Sequence, residues 1–333
     1  MKKSPLLTGR RRLLGSAYAL ACVSGLPRLS RAAGEDWPQR TVKILVANPP
    51  GQAVDIVGRL FAESLSRTLG QPFYVENKPG AGGVMATEMG VRAAPDGYTL
   101  TITSSGPLVV SPAIRKAMPY DAIKDFTHIS NIALTPQVLL VGESSPFKSV
   151  SDLVAAAKAR PGQLNYSTPG IGSTGHLGME SFCSTAGITM NHVPYKGNIQ
   201  ALTELVAGET TVGSDTVPGA LPMVKSGKLR AIGIAAPDRS PFMPDVPTLA
   251  QQGYKVEALG WIGLSGPAAL PRTIVTKLNR AIHDALATSE FQEKFKTLAL
   301  VSIADTPEHF ESFIRAERDK WNAVAKAANV QVD

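Results

Sequence analysis

The sequence predicts an α/β protein built from two successive series of strands and helices. Three observations predict it. Val42 to Ala47 is a short apolar run rich in β-branched residues, which reads as a strand buried on both faces. Asn48-Pro-Pro-Gly51 breaks that run, and Val54, Val57, Phe61 and Leu65 then fall on one helical stripe with Leu60 beside it. The same strand, loop and helix plan recurs between residues 136 and 235.

The elements follow in order. The first helix starts with N–H groups that have no intrahelical partner, a start that favours anions. Gly70 after Leu69 stops it. Phe73 to Glu76 reads as a strand, Asn77-Lys-Pro-Gly-Ala-Gly-Gly83 as a loop, and Val84 to Ala93 as a small-residue helix. Pro95-Asp-Gly97 turns the chain into a strand from Tyr98 to Thr103, which ends at Ser104-Ser105-Gly106. This β-α-β-α-β-α order is the signature of a parallel sheet with helices on both faces.

An irregular, proline-containing passage leads to a strand from Pro136 to Val141. Ser149 and Asp152 have capping-box spacing, with aspartate in place of the usual glutamate, and open a helix to Ala159. Strands at Leu164–Ser167, Ile188–Tyr195, Thr210–Ser214 and Leu229–Ala235 alternate with helices at His176–Ala186, Asn198–Ala207 and Val217–Lys225. Val256 to Leu264 reads as an apolar strand ended by Pro267. Pro271 at the first helical position starts a helix with Ile274, Leu278, Ile282 and Leu286 inward. Thr306-Pro307 opens the last helix, with Phe310, Phe313, Trp321 and Val324 inward. This strand-poor tail is expected to return to the first sheet. The chain then crosses between two bodies near 135 and 259, which gives domain 1 as 33–135 plus 260–333 and domain 2 as 136–259. Two extended crossings make a natural hinge.

At 333 residues, 44% hydrophobic and 18% charged, the chain is a folded globular protein long enough for two domains. Its formal charge of +7 suggests an anionic polymer as partner, but the excess is local. Lys2, Lys3, Arg10, Arg11, Arg12, Arg28 and Arg31 precede residue 33 with no acid among them; 7 of 34 basic residues thus leave 27 against 27 acids. Nucleic-acid binding loses its electrostatic support. Residues 1–32 read as an export signal: a basic start, an apolar run from Leu13 to Leu26 and small residues at Ser30 and Ala32. Arg10-Arg-Arg-Leu-Leu14 resembles a twin-arginine signal, with an ordinary secretory signal as the alternative. After cleavage only Cys183 remains, so no internal disulfide is possible.

Gly170-x-Gly172-x-x-Gly175 is formally a dinucleotide fingerprint between a strand and a helix. The next strand ends Asn191-His-Val-Pro-Tyr195 and lacks the acid that would take the ribose hydroxyls. The loop is read instead as a tight turn with donors at a helix start, and no cofactor is expected. The five histidines lie singly on separate elements, which gives a metal site no support. His176 starts a helix beside the Gly170 loop, within reach of a bound carboxylate or simply facing solvent. Asp55 stands at a helix start, where it either meets a ligand or favours the helix dipole. Asp215 ends a strand, either at a ligand or as a cap for the helix at Val217. Asp55, Asp215 and His176 are unpaired by spacing, so the sequence supplies no acid/base pair for catalysis.

Six stretches occur in order: Pro49-Pro-Gly-Gln-Ala-Val-Asp55, Val75-Glu-Asn-Lys-Pro-Gly-Ala-Gly-Gly83, Pro95-Asp-Gly-Tyr-Thr-Leu100, Val193-Pro-Tyr-Lys-Gly197, Gly227-Lys-Leu-Arg-Ala231 and Pro244-Asp-Val-Pro-Thr248. Together they resemble the Bug family, the TctC-like solute-binding receptors of tripartite tricarboxylate transporters. The resemblance covers essentially the whole chain after the signal. It implies a two-domain clamshell of the periplasmic-binding-protein type (type II-like), each domain a mainly parallel sheet flanked by helices. It implies a periplasmic protein, read as a monomer or weak oligomer, that captures a small carboxylate or related metabolite without chemistry and passes it to the membrane subunits of a transporter. By position it implies a ligand site of Asn48, Gly51, Gln52 and Asp55 from the first loop, Ser104 and Ser105 from the third strand end, and Gly170, Ser173, His176 and Asp215 from the second domain. The first loop departs from the family's usual Ala-Gly-Gly-Thr-Thr-Asp at Gln52, Ala53 and Val54, which leaves the identity of the carboxylate open. An exported enzyme and a ligand sensor acting through a membrane signalling partner are the alternatives.

Overall fold

The computed structural model describes residues 36–332; the export segment expected at 1–32 lies outside the described residues. The opening unit forms as its sequence dictates. β1 (Val42–Val46) is buried apart from Lys43, and α1 (Ala53–Leu69) follows the proline break. Val57, Phe61 and Leu65 are its buried stripe, and Gly70 ends it at φ 72 with its N–H on the Ser66 carbonyl. β2 (Phe73–Asn77), α2 (Val84–Val91) and β3 (Thr99–Ser104) complete the first series. A π-helical turn at Gly106–Val110 then leads into α3 (Ser111–Ile114).

β4 (Phe126–Gly142) is far longer than the strand expected from residue 136. Its first half carries His128, Ser130 and Asn131, all buried, which disguises it as an irregular segment. The polar atoms of His128 are satisfied from afar, by Ser265 Oγ and the Ala122 carbonyl, each at 2.9 Å. The second series is α4 (Val150–Ala159), β5 (Asn165–Thr168), α5 (Thr174–Ala186), β6 (Asn191–Pro194), α6 (Asn198–Ala207), β7 (Val212–Thr216), α7 (Val217–Lys225) and β8 (Leu229–Ala235). The Ser149–Asp152 capping box is made in both directions. The tail is β9 (Leu259–Pro267), α8 (Arg272–Leu286), α9 (Ser289–Thr297), β10 (Val301–Ser302) and α10 (Pro307–Ala327). Sequence reading missed α9 and β10: α9 buries only Phe291 and Phe295, too few to show a stripe.

The strands run β2-β1-β3-β9-β4-β7-β5-β6, with β8 and β10 also paired to β4. β2, β1 and β3 are parallel at one end, as are β6, β5 and β7 at the other. The middle is antiparallel, because β9 and β4 run against β3, β7 and each other. Each sheet is therefore mixed where a parallel majority was expected. β4 pairs with β9 up to Pro136 and with β7 and β8 from Gln137 onward. Pro136 has no N–H to donate, and it sits where one partner gives way to the next. α8 returns to α1 and β4 as expected, while α10 also packs on α5. Trp261, Phe310 and Trp321 share one core with Leu177 and Phe182.

Candidate functional site

The candidate site is built from the loops that follow the strands of the two series. In the first loop Asp55 is 2% exposed. Its Oδ2 accepts from the Gly51 N–H at 2.8 Å and from Arg59 Nε at 3.0 Å; its Oδ1 accepts from Asn77 Nδ2 at 2.7 Å. Burial alone would raise its pKa, but Arg59, the Gly51 N–H and the Asn77 amide together hold the carboxyl below its usual value. Asp55 is thus occupied as a brace. Asn77, which sequence reading did not select, also donates to the Asn48 carbonyl at 2.9 Å. Asn48 Nδ2 in turn donates to Gln52 Oε1 at 2.9 Å. Gln52 stands at the N-cap without bonding the helix, so the first N–H groups of α1 have no side-chain cap.

In the second loop Gly170 and Gly172 take φ values of 144 and 79, which explains two of the three glycines. The third, Gly175, lets α5 approach the sheet: a Cβ there would stand 3.1 Å from Gln137 Oε1 and the Ser214 carbonyl. Ser173 caps α5, accepting from the His176 N–H at 3.2 Å, and its hydroxyl donates to the Gly170 carbonyl at 2.7 Å. His176 does not face solvent. It is 5% exposed and its ring stacks on His192 at 4.1 Å, so these two histidines meet although sequence spacing keeps them apart.

The two halves touch. Ser105 Oγ and Thr174 Oγ1 are 2.7 Å apart, and Ser111 Oγ donates to the Gly172 carbonyl at 3.5 Å. Gln52 Nε2 lies 3.3 Å from where a Cβ on Gly197 would stand. Gly197 opens α6, which also lacks a side-chain cap. Thr174, Gly197 and Asn198, not selected from the sequence, also take part in these contacts. The Val193-Pro-Tyr-Lys-Gly197 stretch before a helix start was the available signal, the same strand–loop–helix plan as the other two loops. Ser104 ends β3 half-buried beside Ser105.

Asp215 is not the cap of α7; Thr216 is, accepting from the Gly219 N–H at 3.3 Å. Asp215 Oδ1 instead accepts from Asn198 Nδ2 and from the Thr216 N–H at 2.6 Å, while Oδ2 is buried without a partner. Burial raises its pKa to about 7, against the lowering effect of Thr216 and Asn198. A folded-state pKa above the unfolded one means stability held at low pH and lost as pH rises toward 7. We expect Asp215→Asn to remove that loss, worth up to about 4 kcal/mol, from denaturation curves measured between pH 4 and 8. Equal pH slopes for parent and variant would show that Asp215 ionises freely.

Among the described residues no group of three His, Cys, Asp or Glu side chains could hold a metal ion, and no helix is long and apolar enough to cross a membrane. The site offers backbone N–H groups, hydroxyls and amides at helix starts. The sequence model of the tripartite tricarboxylate transporter family receptor, TctC, matches residues 57–330. The chain belongs to this receptor family. The receptor is 33% identical over 300 residues to Protein BugT of Bordetella pertussis, covering 90% of this chain and 92% of that one. It is 32% identical to the R. palustris protein Rpa4515 solved with adipate, with a TM-score of 0.84 over 89% of this chain and 99% of that one. MatC from Rhodopseudomonas palustris, solved with bound malate, is 31% identical with a TM-score of 0.80 over 86% and 99%. The TctC receptor fold is thus a two-domain α/β clamshell, and its role is solute binding, not catalysis.

Proposed function

We propose that this receptor works in the periplasm, capturing a small carboxylate between the Gly51 and Gly170 loops for the membrane subunits of a tripartite tricarboxylate transporter. The uncapped start of α1, braced by Asp55 and with Gln52 beside Gly197 of the second series, carries the reading. The adipate and malate complexes of its relatives support the ligand class. In this reading Gly51, Gln52, Ser104, Ser105, Gly170 and Ser173 meet the ligand. Asn48 and Asp55 brace the first loop, His176 the second, and Asp215 holds Asn198 at the start of α6. The moving bodies are 33–135 plus 260–333 and 136–259, bending where Pro136 and Leu259 pair. Each helix end contributes ~0.3–1 kcal/mol toward a nearby anion, and each charge-assisted hydrogen bond roughly 1.5–3 kcal/mol. Contacts from both bodies exist together only in the closed form, so ligand shifts the population toward closure.

Calorimetry against a carboxylate panel that includes adipate and malate tests the reading. Ser173→Pro removes a backbone donor and the α5 cap, and is expected to weaken binding by about 10- to 100-fold, the loss of one charge-assisted bond. Cys183→Ser changes a buried thiol on the same helix, whose pKa burial pushes up to about 12, and should leave affinity unchanged. A folded Ser173→Pro variant with parental affinity would remove the second loop from the site.

A further inference from the structure

A ladder of rings, buried at Tyr166 and His176 and half-buried at His192, lies beside the second loop. Tyr166 stacks on His192 at 4.9 Å and 13°, and His192 stacks on His176 at 4.1 Å and 15°. Both histidines are bonded to the loop. His176 Nδ1 takes the Gly172 N–H at 3.4 Å; His192 Nε2 is 2.7 Å from Thr168 Oγ1, which accepts from the Gly170 N–H at 3.3 Å. We propose that the His176–His192 stack is the positioning device of the second loop and makes its closed geometry sensitive to protons.

The chemistry follows from the tautomer. An Nδ1 that accepts the Gly172 N–H carries no proton, so neutral His176 holds its hydrogen on Nε2. Adding a proton at Nδ1 turns the acceptor into a donor facing another donor. Gly172 loses its partner and the loop is pushed off the ring. The face-to-face stack disfavours charge on both rings at once, since two like charges would then lie about 4 Å apart.

The surroundings favour the neutral pair. Glu180 on α5 is the nearest carboxylate, but its Oε1 is bonded to the Tyr166 hydroxyl and stays 4.0 Å from His176 Nε2. Cys183 on the same helix is a neutral buried thiol. β4 and β7 present uncharged Gln137 and Ser214 to the first turn of α5, and the first body presents Ser105 and Ser111. α10, also packed on α5, keeps its buried Glu317 bonded to Lys320 and to Trp321 Nε1. Burial lowers the His176 pKa to about 4, and burial together with His176 lowers that of His192 to about 3. Both fall below the ordinary value of 6.5, so order in the loop is full above that pH and is lost as pH falls toward 4.

The inference rests on reading the Gly170 loop as a ligand loop, but its test needs no ligand, so the two fail separately. Hydrogen exchange of the amides at 168–176 is followed from pH 7 to pH 4, corrected for intrinsic rates. The N–H of fully buried Ile44, on β1 paired on both edges, serves as the control for global unfolding. In the parent protein, loop opening should rise by up to about tenfold per pH unit below the ordinary histidine pKa, while Ile44 stays protected. His176→Phe keeps the stack but not the acceptor; its loop should be open at pH 7 and indifferent to pH. His192→Phe keeps the stack and should retain most protection at pH 7, whereas His192→Ala should not. A pH-flat loop in the parent, or a His176→Phe loop as protected as the parent at pH 7, would overturn the proposal.

Discussion

Asp55→Ala is expected to cost about 2–4 kcal/mol of stability and to abolish ligand capture. The carboxylate lies on α1 but organises the loop before it. Removing it leaves the Gly51 N–H and the Asn77 amide without their acceptor, and each charge-assisted bond lost costs roughly 1.5–3 kcal/mol. Arg59 loses less, because its side chain is 52% exposed and regains water. The loop would then relax, and Gln52 at the open start of α1 would no longer sit beside Gly197. The pH dependence has a definite sign. The folded-state pKa is depressed, so the stability Asp55 contributes is present above the ordinary value of 3.8 and is lost as pH falls below it. Urea denaturation at pH 7 and pH 3 should therefore separate parent from variant more widely at the higher pH. Parental stability and parental affinity in the variant would show that the loop holds its shape without Asp55.

Gly263→Ala should be at least as damaging, for a different reason. Gly263 lies in the middle of β9, where a Cβ would stand 2.3 Å from Phe310 Cζ and 2.9 Å from the Ser130 carbonyl. Phe310 cannot swing aside. It is fully buried, edge-on to Trp261 at 5.4 Å and to His128 at 5.4 Å. The Ser130 carbonyl belongs to β4, so the other route of relief breaks the ladder between the two crossing strands. Overpacking of this kind costs about 1–3 kcal/mol where neighbours can yield, and here more than about 3 kcal/mol is expected. Adding Phe310→Leu should recover part of the loss, as a non-additive coupling in a double-mutant cycle. Full additivity of the two changes would mean the ring is not the obstacle.

The loops were the legible part of this protein. Pro49, Pro50 and Gly51, and again Gly170 and Gly172, punctuate apolar runs and mark strand-to-helix turns without help from tertiary structure. What those turns meet was not legible. The Ser105–Thr174 contact joins residues 69 apart, and nothing local in either segment signals the other. Asp55 was ambiguous for a related reason: a carboxylate in a first helical turn looks the same whether it serves the dipole, a ligand or its own loop. The first half of β4 was hidden because its buried polar side chains break the apolar pattern, and His128 and Ser130 meet Ser265 and Asp305 only after the fold is complete. His176 and His192 looked solitary because a parallel sheet brings neighbouring strand ends together without leaving a short-range pattern.

The placement of β9 has a consequence for how the molecule is made. β3 is finished by residue 104, yet one of its edges pairs with β9, and Thr103 meets Ser265 across 162 residues. During synthesis the first three strands therefore emerge long before the strand that covers them, with the whole second series made in between. An open edge held that long is a template for pairing with the wrong chain. So distant a partner also makes closure slow compared with the local turns of the second series. The strands of the second series can pair as soon as they leave the ribosome, but their core, like the open edge of β3, is completed only by the tail.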